Sequence, residues 1–290
     1  MTPILSAQNL HFVYGEKTPY EKHAVTDISF SVMPGEIVGI IGHTGSGKST
    51  LMQLLNGLLK PHSGTVIVDG QNIWQDPKAI RQYRFQVGLV FQYPEYQLFD
   101  ETVEKDIGFG PKNMGLSEEE IRKRVLRAAE MVELPPHLLP KSPFDLSGGE
   151  KRRAAIAGVI AMEPKVLILD EPTAGLDPKG RQTILDMIRA YNQKTGAAVL
   201  FVSHNMEDVA ALSQRVLVLN KGKEVLFGTP KEVFSQPDVL QQMSLDVPIA
   251  TRILDALSQK GYALQKGIYT IPDAAKEIAR FMKEGDRHAQ

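Results

Sequence analysis

The stretch Gly42-His43-Thr44-Gly45-Ser46-Gly47-Lys48-Ser49 decides the fold of this chain. It fits the pattern G-x-x-x-x-G-K-[ST], follows the apolar run Ile37–Gly42 and precedes a helical pattern over Ser49–Leu59. Glycines allow the backbone to curl so that successive amide groups point at one anion, and the helix N-terminus adds favourable dipole charge. The stretch therefore predicts a phosphate-binding loop, in which Lys48 bridges the β- and γ-phosphates and the Ser49 hydroxyl ligates Mg²⁺.

Outward from this loop, apolar strand-like runs alternate with helical patterns. Almost wholly apolar runs are typical of strands that a parallel sheet buries on both faces, and four occur: Ile37–Ile41, Val87–Phe91, Val166–Leu169 and Ala198–Val202. Further predicted elements are strands at Ile28–Val32, Thr65–Val68 and Arg215–Asn220 and helices at Ser117–Val132, Gly148–Met162 and Pro178–Thr195. We expect an α/β fold with a mainly parallel sheet. Strand and turn signals are denser within Ile4–Asp69, which predicts an antiparallel β subdomain there.

The pattern changes near residue 230, where Thr229-Pro230 and Gln236-Pro237 interrupt it. Beyond them the sequence predicts a helix at Val247–Tyr262, a short strand at Tyr269–Ile271 and an amphipathic helix at Asp273–Glu284. We therefore expect a large domain at residues 1–230 and a small C-terminal α/β domain at residues 231–290, which is a candidate for dimerisation.

The composition excludes several classes of protein. The 290 residues carry 33 basic and 34 acidic side chains and a net charge of −1, which argues against a duplex-DNA binder and predicts no nucleic-acid partner. The absence of cysteine excludes disulfide scaffolds, cysteine-ligated metals and thiol catalysis. Apolar runs such as Ala197–Val202 are far shorter than the roughly 20 residues of a membrane helix, and Met1–Leu10 lacks the pattern of a secretory signal. We expect a cytosolic protein that is able to dock on a membrane protein.

An acidic pair ends one of the apolar strands, in Val166-Leu167-Ile168-Leu169-Asp170-Glu171. Asp170 suits a contact with Mg²⁺ at the carboxyl end of a strand, where α/β sheets bind ligands. Glu171 is a candidate to orient or deprotonate an attacking water molecule. The alternative is a strand end followed by a turn at Pro172, but the phosphate-binding loop in the same chain favours the catalytic interpretation.

A second glycine-rich helix start lies at Leu146-Ser147-Gly148-Gly149-Glu150. Two glycines, a serine and a helix N-terminus describe a second anion-binding end. The alternative is a simple helix cap formed by Ser147. Because one nucleotide needs only one phosphate-binding loop, the second end indicates a nucleotide that is held by another subunit.

In their order along residues 4–230, these motifs resemble those of ATP-binding-cassette (ABC) ATPases. The matches are the Walker A loop at residues 42–49, the Walker B strand at 166–171, and the LSGGQ signature at 146–150, where Glu150 replaces the usual glutamine. Gln92 resembles the Q-loop glutamine, Gly175-Leu176-Asp177-Pro178 the D-loop, and His204 the switch histidine. Tyr14 falls where this family places an aromatic that stacks on adenine, a role that Tyr20 or His23 could share.

The resemblance implies ATP and Mg²⁺ as cofactors and assigns roles to residues of this chain. It implies that Glu171, His204 and Gln92 are catalytic, and that Ser49, Gln92 and Asp170 ligate Mg²⁺. Contacts with nucleotide are implied for Tyr14, Gly42, His43, Thr44, Gly45, Ser46, Gly47, Lys48, Ser49 and Thr50 and, in the signature, for Ser147, Gly148 and Gly149. A helical subdomain is implied at about residues 93–162.

Three shorter stretches resemble the ATPases of energy-coupling-factor (ECF) importers, which take up vitamins or transition-metal ions. They are Phe91-Gln92-Tyr93-Pro94-Glu95-Tyr96-Gln97-Leu98-Phe99 with Glu101-Thr102-Val103 after it, Phe109-Gly110-Pro111-Lys112-Asn113, and Ser142-Pro143-Phe144-Asp145. The appended C-terminal domain resembles that of these ATPases as well. The loop that contains Thr18-Pro19-Tyr20-Glu21 resembles the second of the two ATPase types of these importers.

This narrower resemblance implies an ATP-hydrolysing subunit on the cytoplasmic face of the cell membrane. Its implied partners are a second ABC ATPase, which is either a similar chain or a second copy, a transmembrane coupling component, and a separate membrane component that selects the substrate. We expect the segment Tyr93–Lys112 to dock the membrane partner, because it follows Gln92 directly and is rich in large apolar residues.

Three alternatives stay open at the level of sequence. An ATPase of a cobalt or nickel importer, or of another ABC transporter, belongs to the same class. A soluble ABC-type ATPase of DNA repair or translation is disfavoured, because the sequence shows no long coiled coil, zinc motif or second cassette. A nucleotide-operated binding module without useful turnover is disfavoured by the presence of Glu171 and His204.

Overall fold

The strands of this protein form two sheets in a computed structural model that describes residues 2–288, with side chains up to Met282. The strands are β1 Leu5–Tyr14, β2 Lys22–Val32, β3 Ile37–Ile41, β4 Ser63–Val68, β5 Gln71–Asn72, β6 Val87–Val90, β7 Val166–Asp170, β8 Ala198–Val202, β9 Arg215–Asn220 and β10 Lys223–Gly228. The larger sheet has the order β10-β9-β3-β8-β7-β6, and the smaller has the order β2-β1-β4-β5.

Helices connect the parallel strands of the larger sheet, and within residues 2–288 four further helices follow the last strand. They are α1 Lys48–Leu55, α2 Ile80–Gln86, α3 Val103–Asn113, α4 Glu118–Met131, α5 Gly148–Ile160, α6 Pro178–Thr195, α7 Met206–Leu212, α8 Pro230–Phe234, α9 Pro237–Gln242, α10 Ile249–Gln259 and α11 Ile271–His288. In the part of the chain that the structure describes, no helix combines the length and the apolar character needed to cross a bilayer.

Parallel pairing of the inner strands places three loops at one edge of the larger sheet. Strand β8 pairs with β3 on one side and with β7 on the other, and Val202 lies opposite both Ile40 and Asp170. The loops that follow these three strands begin with Gly42, Glu171 and Ser203, so they leave the sheet side by side. The α/β fold with a mainly parallel sheet, predicted from the apolar runs, is confirmed.

The larger sheet is buried on both faces, as its apolar strands predict. In β8, Val199 and Phe201 pack into one apolar core together with helices α3 to α6. Ala198, Leu200 and Val202 pack into a second core together with α1 and the smaller sheet. Because alternate residues of a strand point to opposite faces, a continuous apolar run is the pattern that this double burial requires.

The smaller sheet is antiparallel, which confirms the subdomain expected within Ile4–Asp69. Strand β1 pairs with β2 on one side and with β4 on the other. The three helices α3, α4 and α5 lie between β6 and β7 and pack on one another. Their positions fall within residues 93–162, the range predicted for a helical subdomain.

The C-terminal helices pack in two different ways. Helices α8 and α9 bury Phe234 and Leu240 in the core that contains Val199 and Phe201, which we call the main core. Helices α10 and α11 form a separate small cluster around Ala250, Leu254 and Ala274. The division of the chain at residue 230 stays a prediction.

The short strand predicted at Tyr269–Ile271 is wrong. Ile271 is the first residue of α11, and the Thr270 hydroxyl accepts a hydrogen bond from the Asp273 amide at 3.3 Å, so Thr270 acts as a helix cap. The neighbouring carbonyl of Ile268 accepts its hydrogen bond from the Thr251 hydroxyl at 2.9 Å, and no strand of the described residues pairs with this segment.

A truncation in the central strand tests the role of the buried sheet. Leu200 is fully buried, so we expect Leu200→Ala to lower the free energy of unfolding by about 2–5 kcal/mol through lost burial and a cavity. Leu58 is 43% exposed, and Leu58→Ala is the matched control, with an expected change within about 0.5 kcal/mol. Chemical denaturation of both variants provides the measurement. Equal losses would contradict the assignment of Leu200 to the core.

Candidate active site

Two glycines give the loop between β3 and α1 its curled shape. Gly45 has φ of +81° and Gly47 has φ of +103°, values that side chains disfavour. A Cβ atom at Gly47 would lie 2.3 Å from the carbonyl oxygen of Ala24, so this position has no room for any other residue. The predicted phosphate-binding loop therefore has the backbone that its glycine pattern requires.

The Lys48 side chain folds back over the same loop. Its amino group donates hydrogen bonds to the carbonyl oxygens of Gly42 at 2.6 Å and His43 at 3.1 Å. Burial lowers the pKa of Lys48, and the charges of Glu171 and Asp170 oppose that effect. The loop thus holds a cation beside its curled backbone, where an anionic group would be stabilised.

A hydroxyl and a carboxylate meet at the start of α1. The Ser49 hydroxyl donates to Asp170 Oδ2 at 3.2 Å, and Asp170 is only 8% exposed. Burial raises the pKa of this carboxyl group, although the hydrogen bond from Ser49 acts in the opposite direction. Oxygen donors of this kind suit a hard cation such as Mg²⁺, so the donor set fits the predicted metal.

A second carboxylate is held between two side chains. Gln92 Nε2 donates to Glu171 Oε2 at 3.0 Å, and His204 Nε2 lies 2.7 Å from Glu171 Oε1. The backbone of Glu171 has φ of +50°, and its amide donates to the carbonyl of Val202 in the neighbouring strand at 3.1 Å. Gln92, Glu171 and His204, which the sequence placed in one site, are therefore in direct contact.

Lys48, Ser49, Gln92, Glu171 and His204 line one cleft of ≈ 450 Å³, whereas Asp170 lies behind Ser49 and is not among the described lining residues. Tyr14 forms part of its wall, and its hydroxyl lies 3.3 Å from the Thr50 hydroxyl. The lining residues are Tyr14, Lys22, Ala24, Thr44, Gly45, Gly47, Lys48, Ser49, Thr50, Gln92, Glu171 and His204. Tyr20 and His23 were the alternatives to Tyr14 for stacking on adenine. Tyr20 is 86% exposed and His23 lies 3.4 Å from Glu21, and neither is among the described residues that line the cleft.

Some predicted residues of the loop turn their side chains away from the cleft. Ser46 is fully buried beneath the loop, beside Gly42. The His43 ring binds the Asn220 side chain at 3.0 Å and the Thr44 carbonyl at 2.6 Å. Gly42, His43 and Ser46 are therefore absent from the described residues that line the cleft.

The signature residues lie outside this cleft, at the start of α5. Ser147, Gly148 and Gly149 are absent from the described lining residues, and Ser147 caps the helix through a hydrogen bond from the Glu150 amide. The structure thus brings the Walker motifs together in one chain but leaves the second anion-binding end separate from them.

Buried Arg152 forms an ion pair with the half-buried Glu95, which the sequence did not predict. The guanidinium donates to Glu95 at 2.7 and 3.1 Å and to the carbonyls of Pro172 and Ala174 at 3.2 and 2.7 Å. Burial alone raises the pKa of Glu95, but the hydrogen bonds and the charge of Arg152 outweigh it and the pKa is lowered. Arg152 therefore joins the signature helix to the segments that follow Gln92 and Glu171.

Lys22 is a second residue that sequence reasoning missed. It is the first residue of β2, directly after the loop that contains Tyr20, and its side chain lines the cleft. A single lysine at the start of a strand carries no motif, so only the pairing of β2 with β1 reveals its position.

Comparisons with known proteins agree with this geometry. A family model described as ABC transporter matches residues 25–174. The chain is 52% identical, over 96% of its own length and 98% of the relative's, to the energy-coupling factor transporter ATP-binding protein EcfA2 of Caldanaerobacter subterraneus subsp. tengcongensis.

Solved structures show the same fold. The structure of cbiO1 from Clostridium perfringens, part of the ABC transporter complex cbiONQ, has a TM-score of 0.74 and 41% identity, and the match covers 83% of this chain and 94% of that one. A dimeric ATP-binding cassette in a post-hydrolysis state, bound to ADP and Pi, has a TM-score of 0.70 and 28% identity, with 78% and 98% of the two chains covered.

Two substitutions should separate nucleotide binding from hydrolysis. We expect Lys48→Ala to weaken ATP binding by roughly 10- to 150-fold, because a charged hydrogen-bonding group worth about 1.5–3 kcal/mol is lost. Glu171→Gln should keep ATP affinity within about twofold and slow hydrolysis by roughly 10²- to 10⁴-fold, because the proton acceptor is removed. A fluorescent ATP analogue measures affinity, and phosphate release by the assembled complex measures turnover.

Surface variants provide the matched controls for this pair. Lys165→Ala removes an exposed lysine that pairs with Asp69, and Glu119→Gln removes an exposed carboxylate that pairs with Lys123. Both controls should leave affinity and turnover unchanged. Near-normal hydrolysis by Glu171→Gln would show that another group orients the water.

Proposed function

This chain belongs to the ABC transporter family, and on that premise we propose that it is the ATP-binding and ATP-hydrolysing subunit of an ECF importer. The observation that carries the proposal is the contact of Gln92 and His204 with Glu171, beside the loop that holds Lys48. The curated relative that is 52% identical over nearly the whole chain is itself an ATP-binding protein of an energy-coupling factor transporter.

Within this proposal, the residues of the cleft divide the work on ATP. Lys48 and the amides of the loop bind the phosphates, and Tyr14 provides the surface for the adenine base. Ser49, Asp170 and the amide oxygen of Gln92 would hold Mg²⁺, which neutralises charge on the phosphates when it is bound. The amide nitrogen of Gln92 is already used, because it donates to Glu171.

Glu171 is the group that activates the water in this mechanism. Its carboxylate accepts a proton from water as the water oxygen bonds to the γ-phosphorus and the bond from that phosphorus to the ADP oxygen breaks. His204 and Gln92 fix the carboxylate from either side, so its two oxygens are oriented before ATP arrives. ADP and inorganic phosphate are the products.

We propose further that each ATP lies between two subunits. The N-terminus of α1 lies in the cleft and is one anion-binding helix end. The second is the N-terminus of α5, which Ser147 caps at the surface outside the cleft. Ser147, Gly148 and Gly149 of one subunit would then contact the nucleotide that its partner holds. The partner is either a second copy or a similar ATPase, and a dimeric ATP-binding cassette among the structural neighbours supports either arrangement.

The segment Tyr93–Lys112 is proposed to bind the transmembrane coupling component on the cytoplasmic face of the membrane. Tyr96 is 85% exposed and Phe99 is 59% exposed, whereas Leu98 packs against the main core. Phe99 contacts Phe109 edge-to-face with ring centroids 5.0 Å apart. Exposed apolar clusters of this kind are typical of contact sites.

A groove of ≈ 280 Å³ runs beside these aromatic residues. The Asp106 carboxylate shapes it by accepting hydrogen bonds from the amides of Phe99 at 3.2 Å and Asp100 at 3.1 Å. Its lining residues are Phe85, Gln97, Leu98, Phe99, Asp106, Phe109, Gly110, Asn113, Ala154, Ala155, Gly158, Val159 and Met162. The groove therefore joins the segment after Gln92 to the signature helix, and a partner seated here would sense movements of both.

Ser147→Arg tests whether the site is shared between subunits. A bulky cation at this position should reduce hydrolysis at the partner's site by at least tenfold and leave this subunit's own ATP affinity within about twofold. The matched control is Ser117→Arg, which alters the N-cap of α4 elsewhere in the helical region. Affinity is measured with a fluorescent ATP analogue, and turnover with the assembled complex. An equal collapse of own-site affinity would indicate a site built within one chain.

Substitution of the exposed aromatics tests the docking surface. The double variant Tyr96→Ser/Phe99→Ser should lower co-purification with solubilised membrane partners by at least tenfold, because anchors that fill a partner's pocket dominate binding energy. ATP binding by the isolated subunit should persist. Leu126→Ser is the control, since Leu126 is 48% exposed on α4, outside the segment. Normal co-purification and transport by the double variant would show that another surface couples to the membrane.

A further inference from the structure

The signature of this chain carries a carboxylate that is bound to the signature's own serine. The Ser147 hydroxyl donates to Glu150 Oε2 at 2.7 Å, and the Ser147 amide donates to the same oxygen at 2.8 Å. The Glu150 amide donates in return to the Ser147 hydroxyl at 3.4 Å. The two donors that Ser147 offers at this helix end are therefore both directed at one anionic oxygen.

We propose that Glu150 is a positioning residue that occupies the donors of Ser147 in place of a phosphate, so that this signature engages the partner's ATP only after the carboxylate has moved away. The inference rests on the proposed function, because it requires a nucleotide shared between two subunits. Beyond that function, we infer that the Glu150 carboxylate competes with the phosphate for Ser147. This competition sets the ATP concentration at which the two subunits close around the nucleotide.

The competition follows from the chemistry of the two donors. A serine hydroxyl has one hydrogen and a backbone amide has one, so neither can serve Glu150 and a phosphate oxygen fully at the same time. A phosphate must therefore displace an oxygen of the same charge sign, and the displaced carboxylate remains close enough to repel it. Arg153 and Lys141 attract the Glu150 carboxylate, so cations are present on the same surface to receive it.

Thr229 and Glu232 form a second capping box with the same hydrogen-bond pattern. At the start of α8, the Thr229 amide donates to Glu232 Oε2 at 2.7 Å, and the Thr229 hydroxyl donates to it at 3.0 Å. This box caps a helix that contributes no residue to the described lining of the cleft. Glu232 therefore provides a matched control, in which the same charge is removed from the same hydrogen-bond pattern.

To test this role, Glu150→Gln is compared with Glu232→Gln in the full-length chain. Both variants also carry Glu171→Gln, which prevents hydrolysis. Glutamine keeps an acceptor oxygen for the cap but lacks the negative charge. We expect Glu150→Gln to lower the ATP concentration for half-maximal association of the two ATPase subunits by roughly tenfold. Glu232→Gln should not change it. Analytical ultracentrifugation measures association, and a fluorescent ATP analogue shows that own-site affinity is unchanged.

Turnover supplies a readout that helix stability alone would not move. In the hydrolysis-competent complex, Glu150→Gln should lower the KM for ATP by roughly tenfold and change kcat by less than about twofold, because only closure becomes easier. The gain should become smaller when Ser147→Ala is added, because that substitution removes one of the two donors for which Glu150 and the phosphate compete.

The outcomes separate this inference from the proposed function. Equal behaviour of Glu150→Gln and Glu232→Gln would overturn the role of Glu150, and so would a gain that Ser147→Ala leaves at its full size. If the chain with Glu150 and Glu232 intact showed no ATP-driven association with a second copy or with its partner ATPase, the shared site itself would be wrong and both proposals would fail.

Discussion

The pairing of β3, β8 and β7 in one parallel sheet is the constraint on which the site depends. Ile40, Val202 and Asp170 lie in one row across these strands, although they are far apart in the chain. The residues that follow them enter three adjacent loops, which carry Lys48, His204 and Glu171. A shift of register by one residue would turn each side chain of β8 towards the opposite core, so the close packing of the two cores also fixes the positions of these three groups.

The sequence predicted best those elements whose ends are marked by local chemistry. The bounds of α6 agree with the structure because Asp177 caps the helix, Pro178 occupies its first turn, and Gly196 follows it with φ of +68°. The ion pair of Arg152 and Glu95 was not predicted, because it joins residues 57 positions apart through tertiary packing. The strand predicted at Tyr269–Ile271 failed for a different reason: a run of three residues is too short to distinguish a strand from a helix start that is capped by Thr270.

Arg152 links the segment that follows Glu171 to the segment Tyr93–Lys112. Its guanidinium is 3% exposed and contacts Glu95, which lies three residues after Gln92, and the carbonyls of Pro172 and Ala174, which follow Glu171. A buried ion pair whose remaining donors are satisfied is costly to break, because either partner would be left as an unpaired charge. Under the proposed function, a movement of Gln92 or Glu171 when nucleotide binds would reach the signature helix and the groove beside Phe99 through these contacts.

The buried charges of Lys48 and Asp170 favour the binding of phosphate and of a divalent cation. Burial lowers the pKa of Lys48 and raises the pKa of Asp170, so the low-polarity surroundings disfavour the charged form of each group. Phosphates beside Lys48 and a divalent cation beside Asp170 would each favour that charged form. Any ligand that binds the folded state alone also stabilises it against unfolding. Burial makes these charges costly, but it also reduces the screening of electrostatic interactions relative to bulk water. The attraction of Lys48 to phosphate and of Asp170 to a divalent cation is therefore stronger than it would be at an exposed site.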